Sequence, residues 1–125
     1  MIKIILIILT LLITGYSHSA AQLNDKKCDE LKSDIYNLMN GCKSCISSNE
    51  CFIDEKFSAL CPFGCYYIRS RACDNSDKLN LIYKNLEEYA EECSSCIYEC
   101  MQPPAQDEVG CRNGKCVDLR YYEEK

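Results

Sequence analysis

The sequence predicts a small disulfide-rich α+β domain, with two amphipathic helices and short antiparallel strands or hairpins. Three observations predict it. Twelve of the 125 residues are cysteine, and all lie from Cys28 onward. Over residues 22–125 that density exceeds the roughly 8–10% that marks a disulfide scaffold. Two stretches carry apolar residues at helical spacing, and short runs of strand-forming residues follow each of them. Leu, Ile, Val and Phe are sparse beyond residue 21, so cross-links must offset a thin core.

Residues 1–21 read as a secretory signal peptide. Lys3 supplies a positive start, and Ile4 to Ile13 is apolar except for Thr10. Small and polar residues follow, from Gly15 to Ala21, with Ser19 and Ala21 placed for cleavage before Gln22. Ser17 and Ser19 would instead suit cleavage before Ala20. The apolar run is well short of the roughly 20 residues needed to span a bilayer. Residues 22–125 are then expected to be one disulfide-rich domain, secreted or periplasmic, with no membrane association after cleavage. An oxidising compartment and an even number of cysteines imply six bridges, from Cys28, Cys42, Cys45, Cys51, Cys61, Cys65, Cys73, Cys93, Cys96, Cys100, Cys111 and Cys116. The net charge is −5. Loss of Lys3 makes the remainder more acidic, which leaves no electrostatic footprint for nucleic acid or anionic lipid.

The first helix is expected from about Asp25 to Asn40. Cys28, Leu31, Ile35, Leu38 and Cys42 fall on one face, and Gly41 suits its end. The second is expected from about Asp77 to Glu92, with Leu79, Ile82, Leu86, Tyr89 and Cys93 on one face. Asn75, Ser76 and Asp77 are all capping types. Cys51-Phe52-Ile53, Cys65-Tyr66-Tyr67-Ile68 and Cys96-Ile97-Tyr98-Glu99-Cys100 read as strands. Cys111 to Val117 reads as a hairpin, with Asn113-Gly114 in a type I′ turn and Cys111 opposite Cys116. Those two cysteines either bond across the hairpin or each reach another partner.

The cysteine order also suggests a duplicated α-β-β unit, 24–72 and 73–120. Each half carries Cys-x-Ser-Cys-Ile, at Cys42 to Ile46 and at Cys93 to Ile97. Coincidence is the competing reading, since twelve cysteines produce similar spacings easily.

Cys61-Pro62-Phe63-Gly64-Cys65-Tyr66, then Cys93, Cys96-Ile97-Tyr98-x-Cys100 and Cys111-x-Asn113-Gly114-Lys115-Cys116-Val117 form an ordered set covering most of residues 22–125. In this order the chain resembles small exported cysteine-rich proteins of bacteria. The resemblance implies an exported disulfide-rich domain. It transfers no activity, catalytic residue or ligand.

The chemistry available is narrow. The single histidine, His18, lies in the expected signal peptide. Without it, triads and imidazole metal sites are excluded from residues 22–125. No catalytic, cofactor-binding or metal-binding residue is assigned. Cys42/Cys45 and Cys93/Cys96 are Cys-x-x-Cys pairs, so a thiol–disulfide oxidoreductase is the rival reading. Both pairs follow a helix C-terminus, whose dipole disfavours the thiolate, and Glu91 and Glu92 add to this at Cys93. A four-thiolate zinc site from the same residues is disfavoured by the 46–92 gap and by the compartment. Glu87, Glu88, Glu91 and Glu92 read as a solvated helix face, with Lys84 and Glu88 at i,i+4 spacing. No loop for calcium or phosphate is present. The leading reading is a non-enzymatic interaction or inhibitory module acting on a protein partner. Asp54 to Phe63 and Gln102 to Gly110 are the loops expected to make contact. A secreted toxin or effector is the third reading. Serine at Cys42 or Cys93 is expected to cost more stability than at Cys111, on the view that the former link helices across long loops.

Overall fold

The computed structural model describes residues 24–93, 96–97 and 99–123. The expected signal peptide, residues 1–21, lies outside the described residues. So does Tyr98 of the expected third strand. The elements run α1 (24–41), β1 (Cys51–Ile53), β2 (Ile68–Ser70), α2 (Asp77–Glu92), β3 (Val109–Arg112) and β4 (Lys115–Asp118). This is a small disulfide-rich α+β fold with two two-stranded antiparallel sheets.

The helices form where the apolar period places them. In α1, Ile35 and Met39 are buried, as is Cys42 just past its end, and Leu31 and Leu38 pack more loosely. The stripe is turned slightly from the expected one, so Met39 takes the deeper place beside Ile35. In α2, Ile82, Leu86 and Tyr89 are buried. Its start is capped by the Ser76 side chain, which accepts from the Leu79 N–H at 3.1 Å. Asn75, just before it, has φ 56°, which asparagine tolerates better than most residues.

Cys28 bonds to Cys93 at one end of the helix pair, and Cys42 bonds to Cys73 at the other. Their Cα–Cα distances are 5.8 and 5.3 Å. The helices therefore run antiparallel and are fastened at both ends. Lys27 reaches across to Glu88 at 3.2 Å and Glu92 at 2.6 Å. Glu88 thus turns to α1, and no Lys84–Glu88 ion pair forms among the described residues. Phe57, Phe63 and Tyr67 complete this core. The rings of Phe63 and Tyr89 meet edge to face at 4.9 Å, a favoured aromatic geometry.

A second core joins the two sheets through Cys51, Ile68, Val109 and Cys116. β1 pairs with β2, and β3 with β4. The hairpin turn holds Asn113 at φ 50° and Gly114 at φ 75°, the positive pair that a type I′ turn requires. Cys111 and Cys116 do face each other, yet each bonds elsewhere, to Cys45 and Cys51. Two strand expectations change. Cys65 to Tyr67 is not strand; pairing begins at Ile68, opposite Ile53. The described part of 96–100 is irregular, because bridges from Cys96 to Cys61 and from Cys100 to Cys65 fix it in place of a ladder.

All twelve cysteines are bridged. Every bridge joins one of the first six cysteines to one of the last six. Moving each cysteine six places along the cysteine order carries Cys28–Cys93 onto Cys42–Cys73, Cys45–Cys111 onto Cys61–Cys96, and Cys51–Cys116 onto Cys65–Cys100. With the α-β-β-α-β-β order, this pairing has the symmetry of a doubled α-β-β unit. No bridge is confined to either half, so 24–72 and 73–120 are not cross-linked independently.

Three tyrosine hydroxyls are spent inside the fold. Tyr67 donates to the Met39 carbonyl at 2.8 Å, Tyr66 to Asp118 at 2.8 Å, and Tyr83 to Asp54. Burial is the first cause pushing all three above the ordinary tyrosine range, and the nearby carboxylates add to it. An acid whose pKa is raised on folding stabilises the fold below its unfolded pKa, and that contribution fades as pH rises. Alkaline titration of tyrosinate absorbance should show a late-ionising class, with stability falling above about pH 10. Replacing Tyr67 and Tyr83 by phenylalanine should shrink that class. An unchanged titration would mean that these rings are not enclosed as described.

Candidate interaction site

The first loop named by the sequence, Asp54 to Phe63, is held inward at several points. The Asp54 carboxylate accepts from Arg69 Nε at 2.7 Å, from the Lys56 N–H at 2.9 Å and from Tyr83. Arg69 also donates to Asp74 at 2.6 Å and to the Ser70 carbonyl at 3.1 Å. Burial would raise the Asp54 pKa, but these hydrogen bonds outweigh it and hold the carboxyl below the usual range. Burial acts against the charge on Arg69 as well, and its two carboxylates more than restore it. Arg69 and Arg71 lie over the Phe52 ring, 4.5 and 4.3 Å from its centroid. Further along, Phe57 and Phe63 are buried, and the Leu60 N–H donates to the Gly64 carbonyl at 3.0 Å.

The second loop, Gln102 to Gly110, is tied down too. Gln106 donates from its side chain to the Cys51 carbonyl at 2.8 Å. Arg120 donates to the Gln102 carbonyl at 3.1 Å. Pro104, Val109 and Gly110 are buried. The structure brings both loops to one open cavity of about 520 Å³. Asp54, Glu55 and Lys56 line it from the first loop and Gln106 from the second, with Phe52 and Arg71 between them.

Neither loop offers a large exposed apolar side chain. That surface lies beside them. Ile97 is 97% exposed, Met101 70% and Tyr121 63%. Met101 and Tyr121 line a cleft of about 320 Å³ with Gly64, Cys65, Tyr66 and Glu99. The strand reading of 96–100 concealed it, since a strand would have packed one side inward. The available signal was two apolar residues, Ile97 and Met101, interleaved with two cysteines that each need a partner.

Neither Cys-x-x-Cys pair is closed on itself. Cys42 bonds to Cys73, Cys45 to Cys111, Cys93 to Cys28 and Cys96 to Cys61. An exchanging pair must be able to close on itself, and here four separate bridges hold the four sulfurs. The sulfurs of Cys45, Cys51 and Cys116 lie within 4.8 Å of one another. They belong to two disulfides, which leaves no thiolate for a metal.

The fold and its bridges define a disulfide-rich α+β module. No family model, curated protein or solved structure matches the chain. Among the described residues, no helix is long and apolar enough to cross a membrane.

Proposed function

We propose that the chain is an exported interaction or inhibitory module without catalytic activity, which binds a protein partner. The exposed set Ile97, Met101 and Tyr121 carries this reading. Large exposed apolar side chains are costly in water, Met101 and Tyr121 share a cleft, and Tyr and Met are among the residues enriched at protein interfaces. The six bridges support it by holding that surface rigid before contact, which lowers the ordering cost of binding. They also accord with a secreted or periplasmic protein, as does the resemblance to exported cysteine-rich proteins of bacteria.

The test compares the oxidised chain with a Met101→Glu, Tyr121→Glu variant in quantitative capture from the fluid around the source cells. A partner retained by the first and weakened about 10-fold or more by the second supports the surface. Equal capture by both sinks it. Free thiols in the native protein, or turnover of a disulfide substrate, would instead favour the oxidoreductase reading.

A further inference from the structure

Two bridges meet at the second core. The sulfurs of Cys45, Cys51 and Cys116 lie within 4.8 Å of one another, although Cys45 bonds to Cys111 and Cys51 to Cys116. Among the described residues no other three cysteine sulfurs lie so close. Local pairing produces this approach. The Cys45 N–H donates to the Gly114 carbonyl at 3.0 Å and the Cys116 N–H to the Lys43 carbonyl at 2.8 Å, which lays residues 43–45 along the hairpin. The two bridges differ in exposure. Cys51 and Cys116 are buried, whereas Cys45 and Cys111 are half-buried. A reagent in solution therefore reaches the outer bridge first.

The surroundings of that outer bridge are cationic. Lys43 lies opposite Cys116. Lys115 pairs opposite Arg112, and the Arg112 guanidinium donates to the Cys111 carbonyl at 2.9 Å. Burial first, and then the charge of Lys115, push the Lys43 ammonium below the ordinary lysine range. Glu50 lies just past Cys45, and its carboxylate accepts from the Ile46 and Ser47 N–H groups. Cys96 and Cys100 are more exposed, but Glu99 stands between them in the chain. Cations favour an approaching thiolate and a departing one; a carboxylate opposes both.

We propose that the Cys45–Cys111 bridge is a modification site for small acidic thiols, and that Cys45 passes the exchange inward to the Cys51–Cys116 bridge. The thiolate of the small molecule attacks the Cys111 sulfur. A mixed disulfide forms there, and Cys45 leaves as a thiolate. Cys45 then attacks the sulfur of Cys51 or Cys116, closes a new bridge with it and expels the other as a thiolate. The expelled sulfur takes up the proton that the small thiol gave up. One thiol is consumed and one is left on the protein, so no outside oxidant is required. The exchange is stoichiometric, and it is independent of the Ile97, Met101 and Tyr121 surface.

The experiment treats the full oxidised chain with reduced glutathione or with cysteamine, quenches in acid, and maps bridges and adducts by peptide mass. Glutathione carries a net negative charge and cysteamine a positive one. At equal thiolate concentration, glutathione should add to Cys111 about 10-fold faster or more, and high salt should remove most of that difference. Cys45 should then be joined to Cys51 or Cys116, with one thiol per chain on the displaced sulfur. Equal rates for the two reagents overturn the inference. So does an adduct on Cys45, or a Cys111 adduct beside an intact Cys51–Cys116 bridge. Two variants test the inward step without a reagent. Cys111→Ala frees Cys45, and the unpaired thiol should move to Cys51 or Cys116. Cys45→Ala should keep its thiol on Cys111, which lies outside the group of three sulfurs. A thiol that stays on Cys45, or one that moves in both variants alike, refutes the relay.

Discussion

Replacing Arg69 by methionine should destabilise the protein by about 3–5 kcal/mol, because it takes the cation from a buried carboxylate and leaves Asp54 only the Lys56 N–H and the Tyr83 hydroxyl. The Arg69 and Asp54 side chains are only 7% and 4% exposed, so water cannot take over the lost contacts. For a chain of this size, the loss should lower the Tm by roughly 10 °C or more. Asp74→Asn should cost far less, since the Asp74 side chain is 41% exposed and solvated pairs contribute about 1 kcal/mol or less. The sign with pH follows from Asp54. Its folded pKa lies below its unfolded value, so its contribution is present above about pH 4 and fades as pH falls through the folded pKa. Melting curves from neutral to acid pH should show that loss in the parent and a flatter profile in Arg69→Met. A variant as stable as the parent would mean that the pair does not anchor the loop.

Removing the Cys51–Cys116 bridge with a double alanine substitution should cost about 2–5 kcal/mol. Both cysteines are almost fully buried, at the centre of the second core. Removing Cys65–Cys100 should cost less. Its loop is shorter, with a separation of 35 against 65, but chain entropy makes that difference only about 0.5 kcal/mol. The larger distinction is burial, since Cys100 is exposed and leaves no cavity behind. Denaturant unfolding of the two variants should show this order, and the reverse order would place the second core elsewhere. The expected ranking of Cys42 above Cys111 loses its basis. The Cys42 bridge closes a separation of 31 and the Cys111 bridge one of 66, so loop length favours Cys111. Only the burial of Cys42 pulls the other way.

The helices were legible because their signal is local. Leu79, Ile82, Leu86 and Tyr89 recur on one face whatever they pack against, and α2 spans Asp77–Glu92 as the period and capping residues predict. The Asn113-Gly114 turn was legible for the same reason, since its positive φ values select those two residues. What depends on distant partners was hidden. Tyr66 and Tyr67 have strand-type side chains, yet one hydroxyl goes to Asp118 and the other to Met39, and the ladder starts later. Glu88 had a partner four residues back and chose Lys27 across the helix pair. Asp54 to Phe63 and Gln102 to Gly110 read as two separate loops in the sequence, and their sharing of one cavity arises from Gln106 reaching Cys51. The exposure of Ile97 and Met101 was missed because bridges to Cys61 and Cys65 override their strand propensity.

The crossing of every bridge from one half of the chain to the other bears on how the molecule is made. A polypeptide is delivered N-terminus first, at a synthesis rate of about 5–20 residues per second. Cys28, Cys42, Cys45, Cys51, Cys61 and Cys65 therefore all emerge before any native partner exists, since the first partner is Cys73. Any bridge made in that interval joins two of these six and is wrong. Correct pairing must wait for the later half or be repaired after it arrives, so oxidation that runs ahead of the chain's second half makes the product depend on disulfide isomerisation.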